Sequence, residues 1–117
     1  MTDNICWIIE ADVHDGKQAE LRSLAADFTE GTKNEAGAVG YEWSLSADGK
    51  RIHIYERYAD SDAALVHLGN VGGRLPELFA LCSITSIACY GSASDVFRSA
   101  TAGMPFEFHE TFAGFHR

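Results

Sequence analysis

Asn4-Ile5-Cys6-Trp7-Ile8-Ile9-Glu10-Ala11-Asp12-Val13 is the stretch on which the fold turns. Side chains alternate across a strand, so Ile5, Trp7 and Ile9 point one way while Cys6 and Ile8 point the other. The first half of this strand is therefore apolar on both sides. A strand with two apolar sides must be covered twice.

Asp15-Gly16 breaks the run, and a helix is expected from about Gly16 to Asn34, with Leu21, Leu24, Ala25 and Phe28 at i, i+3, i+4 and i+7 as its buried stripe. Asp15 and Gln18 have the spacing of a capping box. Glu35-Ala36-Gly37 ends the helix. Val39, Tyr41, Trp43 and Leu45 then alternate with Gly40, Glu42, Ser44 and Ser46, a period-two strand. Ala47-Asp48-Gly49-Lys50 is a hairpin turn, and Arg51 to Tyr58 returns with Ile52, Ile54, Glu56 and Tyr58 on one face. Asp60 and Ser61 enter a helix to about Asn70 anchored by Leu65 and Leu68. Gly72-Gly73 interrupts it, and a shorter helix spans Arg74 to Leu81. Ile84 to Tyr90 is an apolar last strand ended by Gly91. Ser94 caps a short helix carrying Val96, Phe97 and Ala100, followed by a tail with Phe106, Phe108, Phe112 and Phe115.

Strand, helix, strand, strand, helix pair, strand is the ferredoxin-like β-α-β-β-α-β plan, an α+β fold. Right-handed crossovers make the sheet antiparallel, put strands one and three in its centre and lay both helical units on one face. The second apolar side of strand one then needs another cover. A second copy packed sheet against sheet supplies it with twofold symmetry, so a homodimer is expected; the aromatic tail folding back over that face is the alternative. The chain divides into a core domain, 1–91, and a C-terminal extension, 92–117, that packs on the same domain or on the partner.

Composition narrows the classes. Hydrophobic residues at 46% and charged residues at 22% are globular values, which argues against disorder. The longest uncharged apolar run, Ile5 to Ile9, is far short of the ~20 residues of a membrane span. Met1-Thr2-Asp3-Asn4 lacks the basic start of a signal peptide, so a cytoplasmic, membrane-free protein is expected. The net charge of −8, with no Lys/Arg cluster, speaks against nucleic acid as a partner. Cys6, Cys82 and Cys89 are odd in number, fit no metal spacing and sit in apolar stretches, which suits reduced, buried thiols. The five histidines show no ligand spacing either, so no metal is expected.

Several of these stretches resemble the antibiotic biosynthesis monooxygenase (ABM) family of dimeric α/β barrels, near its quinol-monooxygenase-like branch. They are Gly16-Lys17 at the first helix, Glu35-Ala36-Gly37-Ala38-Val39-Gly40-Tyr41-Glu42 leading into strand two, and Ile54-Tyr55-Glu56-Arg57-Tyr58-Ala59-Asp60 running on into Ala63-Ala64-Leu65-Val66-His67-Leu68. The resemblance covers about residues 4 to 91. It implies a pocket between helices and sheet, and oxygenation of phenolic or hydroquinone-like substrates with O₂ and no metal or flavin. The family's helix histidine falls on His67 and the glutamate closing strand three on Glu56. The heme-degrading branch carries an asparagine on strand one and a tryptophan on its second helical region. Here Ile9-Glu10 stands near the first position, and Trp7 and Trp43 are both on strands, so heme cleavage is not implied. The extension from Ser92 exceeds the minimal family domain.

The residues carry chemistry of their own. His67 lies beside Ala64 and Val71 at the flank of an apolar stripe, where a side chain titrating near neutrality can remove a phenolic proton; it can also be a half-buried histidine bonded to a carbonyl or water. Glu56 is a carboxylate on an otherwise apolar strand face, able to orient a histidine or meet a substrate oxygen, or else paired with an Arg. Tyr41, Trp43 and Trp7 offer flat surface to a planar substrate, and equally suit core or interface. The expected function is a cofactor-independent monooxygenase with His67 and Glu56 as catalytic residues and Tyr41, Trp43 and Trp7 against a small aromatic or quinol-like ligand. The alternatives are a dimeric module that binds such a ligand without turnover, and an isomerase or cyclase using the same acid/base pair.

Overall fold

The paired faces of the central strand set the architecture. A computed structural model describes residues 2–117; Met1, where the expected domain 1–91 and the reading of the N-terminus begin, lies outside the described residues. In chain order the elements are β1 (Ile5–Val13), α1 (Gln18–Lys33), β2 (Ala38–Leu45), β3 (Arg51–Tyr58), α2 (Ser61–Val71), a 3₁₀ turn (Gly72–Arg74), α3 (Leu75–Phe79), β4 (Cys82–Gly91), α4 (Asp95–Ala100) and β5 (Phe106–His109). The sheet order is β2-β3-β1-β4-β5, with β1 antiparallel to both β3 and β4, as the ferredoxin-like plan requires.

The inward face is continuous across the sheet. Ile5, Trp7 and Ala11 of β1, Ile52, Ile54 and Tyr58 of β3, and Cys82, Ile87 and Cys89 of β4 are buried beneath the helices. α1 brings Leu21, Leu24 and Phe28 onto one half and α3 adds Leu78; Ala64 and Phe97 complete the other half. Burying one such side chain contributes about 1.5–3 kcal/mol. The opposite face carries the half-buried Cys6, Ile8, Tyr55 and Ala88 in register across β3, β1 and β4; among the described residues no helix or strand packs over its centre, and the tail 111–116 reaches only its Cys6–Arg57 end.

Several local expectations are corrected. Asp15 does not cap α1: the N-cap is Lys17 without a side-chain bond, and Gln18 instead donates to the Gly49 carbonyl at 2.7 Å, tying the helix start to the hairpin. Gly49 takes φ 71°, which a turn glycine adopts without strain. On α2 the buried positions are Ser61, Ala64 and His67, with Leu65 and Leu68 only partly covered, because the helix leans on the sheet through its small residues. The expected helix Arg74 to Leu81 is shorter, since Gly72–Arg74 winds as a 3₁₀ turn.

The extension does more than trail. Ser94 caps α4 by accepting from the Phe97 amide at 3.1 Å, and Phe97 is fully buried against Trp7, with ring centroids 5.8 Å apart. β5 pairs in parallel with β4, so Phe106 and Phe108 extend the inward face by one strand. Phe112 and Phe115 stay exposed. Burial pushes the Cys82 thiol up to about 11 and the Cys89 thiol up to about 12, which leaves both protonated and inert.

Candidate active site

Alternation along β3 points Ile52, Ile54, Glu56 and Tyr58 inward, so one carboxylate stands in an apolar row. A buried carboxylate needs partners, and Glu56 has two. The Tyr58 hydroxyl donates to its Oε1 at 2.7 Å, and His67 Nε2 stands 3.1 Å from the same oxygen. His67 comes from α2, which starts where the Asp60 carboxylate accepts from the Ala63 amide at 2.8 Å. Two turns on, its ring faces the sheet, and its side chain is only 3% exposed.

The other ring nitrogen meets a residue that pattern reading missed. His67 Nδ1 is 3.0 Å from Oε1 and 3.2 Å from Oε2 of Glu35, whose side chain is 8% exposed. Asn70, one turn beyond His67, donates to Glu35 Oε2 at 3.2 Å. Glu35 lies in the connection between α1 and β2, and Gly37 lets that connection approach α2: a side-chain carbon on Gly37 would overlap the Ala63 methyl. The Ala59 amide fastens the loop by donating to the Gly37 carbonyl at 2.8 Å.

Carboxylates accept, so a ring bracketed by two of them donates on both sides, as the imidazolium does. Burial alone would push the His67 pKa down. Glu56 and then Glu35 outweigh it, and the net shift is upward. The ring sits among aromatics, with centroids 5.0 Å from Tyr58, 5.6 Å from Tyr41 and 6.5 Å from Trp7, surfaces that favour a cation. Burial and then Glu56 push both the Tyr41 and Tyr58 phenols well above their usual range, so they remain hydroxyls.

Glu56 and His67 open on an apolar cavity of about 40 Å³ between sheet and helices. All five residues singled out in the sequence line it: His67, Glu56, Tyr41, Trp43 and Trp7. Leu75, Phe79, Met104 and Phe106 close it from α3 and the extension. Its volume is below that of an aromatic ligand, so a molecule of that size would fit only with these side chains displaced. A wider groove of about 530 Å³ runs between α1 and β2 and shares Tyr41 and Trp43 as a wall, but neither Glu56 nor His67 reaches it. The indole N–H of Trp43 is buried with no hydrogen bond of good geometry, alone among the buried side-chain polar atoms of the described residues, and the Tyr41 hydroxyl is the neighbouring group on which it acts. Glu35 and Glu56 meet opposite nitrogens of the ring and do not converge on a point, and no group of three metal-ligating side chains occurs among the described residues.

No curated protein matches the chain. Among solved structures, MupZ from Pseudomonas fluorescens is 27% identical, with TM-score 0.91 over 100% of this chain and 91% of its own. SnoaB from Streptomyces nogalater, described as a cofactor-independent oxygenase, is 18% identical with TM-score 0.69, covering 81% of this chain and 98% of its own. Rv0793 from Mycobacterium tuberculosis is 21% identical with TM-score 0.61, covering 79% of this chain and 97% of its own. These last two share the fold. The model of the family "Antibiotic biosynthesis monooxygenase" matches residues 4–72, which contain Glu35, Glu56, His67 and all three aromatic candidates. With more than half its length so matched, this chain belongs to the antibiotic biosynthesis monooxygenase family.

Proposed function

We propose that this chain is a cofactor-independent monooxygenase that acts with O₂ on a small quinol or phenolic substrate, in a reaction opened by proton transfer at Glu56 and His67. The observation that carries the reading is a buried histidine and carboxylate 3.1 Å apart at the floor of an apolar cavity walled by aromatic side chains. Glu56 takes the hydroxyl proton of the substrate. The protonated His67 ring beside it and the indole N–H of Trp43 offset the negative charge that develops on the substrate oxygen. The electron-rich anion passes an electron to O₂, and the two radicals join as a peroxide at a ring carbon. Loss of that carbon's proton and of the outer oxygen leaves a carbonyl, with one oxygen atom in the product and the other in water. Over the whole reaction a phenol and O₂ become a quinone and water.

A second reading is an isomerase or cyclase. It is favoured by the ring's being held at both nitrogens, since an acid and a base within 3.1 Å can take a proton from one atom and return it to another.

Oxygen uptake tests the choice. With 1,4-naphthohydroquinone as the first of a hydroquinone panel, the native chain is expected to consume O₂ above the spontaneous rate and to place one ¹⁸O atom in the product. His67→Ala should abolish uptake with an unchanged circular dichroism spectrum. Full activity in that variant refutes the role of His67. An unlabelled, rearranged product from a panel member refutes oxygenation and leaves the acid/base reading.

A further inference from the structure

The cavity lies at the Nε2 edge of the His67 ring; the Nδ1 edge belongs to Glu35, which lies outside the cavity lining. Glu35 lines a separate groove of about 260 Å³ between α1 and α2, together with Asp27, Thr32, Asn70 and Arg74. The imidazole is thus a partition, with Nε2 on the ligand side and Nδ1 on the groove side. A carboxylate that accepts from Nδ1 through both oxygens, and is itself held by Asn70, has no spare geometry with which to reach a ligand.

We propose that Glu35 is the positioning residue of this site: it retains the Nδ1 proton of His67 and leaves Nε2 as the one nitrogen that exchanges a proton with the ligand and with Glu56. This rests on the proton-transfer reading above. The bookkeeping is closed. Nε2 gives its proton to a ligand atom, which leaves a neutral ring protonated at Nδ1 and bonded to Glu35. Glu56, having taken a proton from the ligand, hands it to Nε2 and both groups are restored. No proton has to cross the ring, so no tautomer change or ring flip interrupts the cycle. Without Glu35 the neutral ring could carry its proton on either nitrogen, and the form protonated at Nε2 cannot act as a base in the cavity.

Among the described residues Glu56 is the one competing carboxylate on the ring, and it meets Nε2 through a single oxygen that already accepts from Tyr58, whereas Glu35 offers both oxygens to Nδ1. Tyr58 donates to Glu56, and Tyr41 packs against the imidazole. Asp27 and Arg74, in the groove behind Glu35, pair with each other at 3.4 Å.

The test needs no substrate. The ¹⁵N-histidine-labelled full chain is titrated while the His67 ring nitrogens are followed by NMR. In the native chain Nδ1 should stay protonated throughout, with Nε2 alone releasing its proton as the pH rises. Glu35→Gln should lower the titration midpoint by about one pH unit, a tenfold change in the acid constant, and give a neutral ring of mixed tautomers. Glu35→Ala should behave likewise and regain the Nδ1-protonated ring when formate is added, a rescue that a purely structural role would not allow. Asn70→Ala, which keeps the carboxylate, should retain the native tautomer. A native neutral ring protonated at Nε2, or an unchanged tautomer and midpoint in Glu35→Gln, overturns the proposal. These outcomes concern Glu35 alone; a failed oxygen-uptake assay would strike the catalytic reading and leave them intact.

Discussion

Replacing Glu56 by Gln keeps the size of the side chain and an oxygen for the Tyr58 hydroxyl, and removes only the charge 3.1 Å from His67. Stranding one member of a buried ion pair costs roughly 3–5 kcal/mol when the charge left behind has no other partner. His67 still has Glu35 at 3.0 Å and can release its proton, so a loss of about 2–3 kcal/mol is expected, in the range of a charge-assisted hydrogen bond. With a urea slope of roughly 1.5 kcal/mol per M for a small domain, that moves the unfolding midpoint down by about 1.3–2 M. The effect has a sign in pH. His67 is raised in the folded state above the roughly 6.5 of an unfolded histidine, so its pairing stabilises fully below about pH 6.5 and fades as the pH climbs through the folded value. The gap between native and variant chains should be widest near pH 6 and narrow toward pH 9. Tyr41, Tyr58 and the three thiols are also pushed upward, so they act in the same direction, but the phenols titrate above this window and the thiols are common to both chains, so none of them shapes the gap. A gap that stays constant or widens between pH 6 and 9, or one under about 0.5 kcal/mol at pH 6, refutes the charged pairing of His67 with Glu56.

Two further variants test the packing around the site. Phe97→Ala removes a fully buried ring that stacks on Trp7, at a cost of about 3–5 kcal/mol; at roughly 2 cal/mol/K of unfolding entropy per residue, calorimetry should record a fall in Tm of about 12–20 °C, whereas a fall of under about 4 °C would detach the extension from the core. Ile8→Asp places a charge at the middle of the uncovered sheet face, between Tyr55 and Ala88; if two copies pair there, sedimentation should change from a dimer for the native chain to a folded monomer for the variant, and an unaltered dimer would move the interface elsewhere.

How far the sequence led is best judged from particular residues. The alternation along Arg51 to Tyr58 is local, and it located Glu56 on the inward face because period two survives any tertiary arrangement. Periodicity places His67 only at the edge of a stripe, and it is the family resemblance that singles it out; in the structure the small Ala64 on the same buried side of α2 goes with the close approach of the helix to the sheet. Glu35 is illegible in the sequence because it lies in a loop, where no periodicity announces the direction of a side chain. The one local signal was Gly37 two residues on, whose missing side chain is what permits contact with Ala63. β5 escaped notice for a similar reason. Four residues alternating Phe-Glu-Phe-His are too short to stand out, and their parallel pairing with β4 is fixed by Phe106 and Phe108 seeking the aromatic cluster around Trp7 and Phe97.

The origin of the side chains around the cavity separates two properties. The groups able to move or hold a proton, Glu35, Glu56 and His67, and the Trp43 donor all come from the segment 4–72 that matches the family. Much of the wall that limits cavity volume comes from beyond it: Leu75, Leu78 and Phe79 of α3, Ile84 and Ile87 of β4, and Met104 and Phe106 of the extension. Apolar walls discriminate ligands by size, at about 1–3 kcal/mol per methylene accommodated or refused, while the acid/base groups decide which bond is polarised. Substitutions after residue 72 should therefore alter which ligand fits while the His67 titration stays as it is, and substitutions at Glu35 or Glu56 should alter that titration in an unchanged cavity. With Met104 and Phe106 in the lining of a cavity of about 40 Å³, a proposed ring-sized substrate would have to be accommodated by residues outside the segment matched to the family, and Phe106→Ala should widen the range of ligands bound while the His67 titration is unchanged.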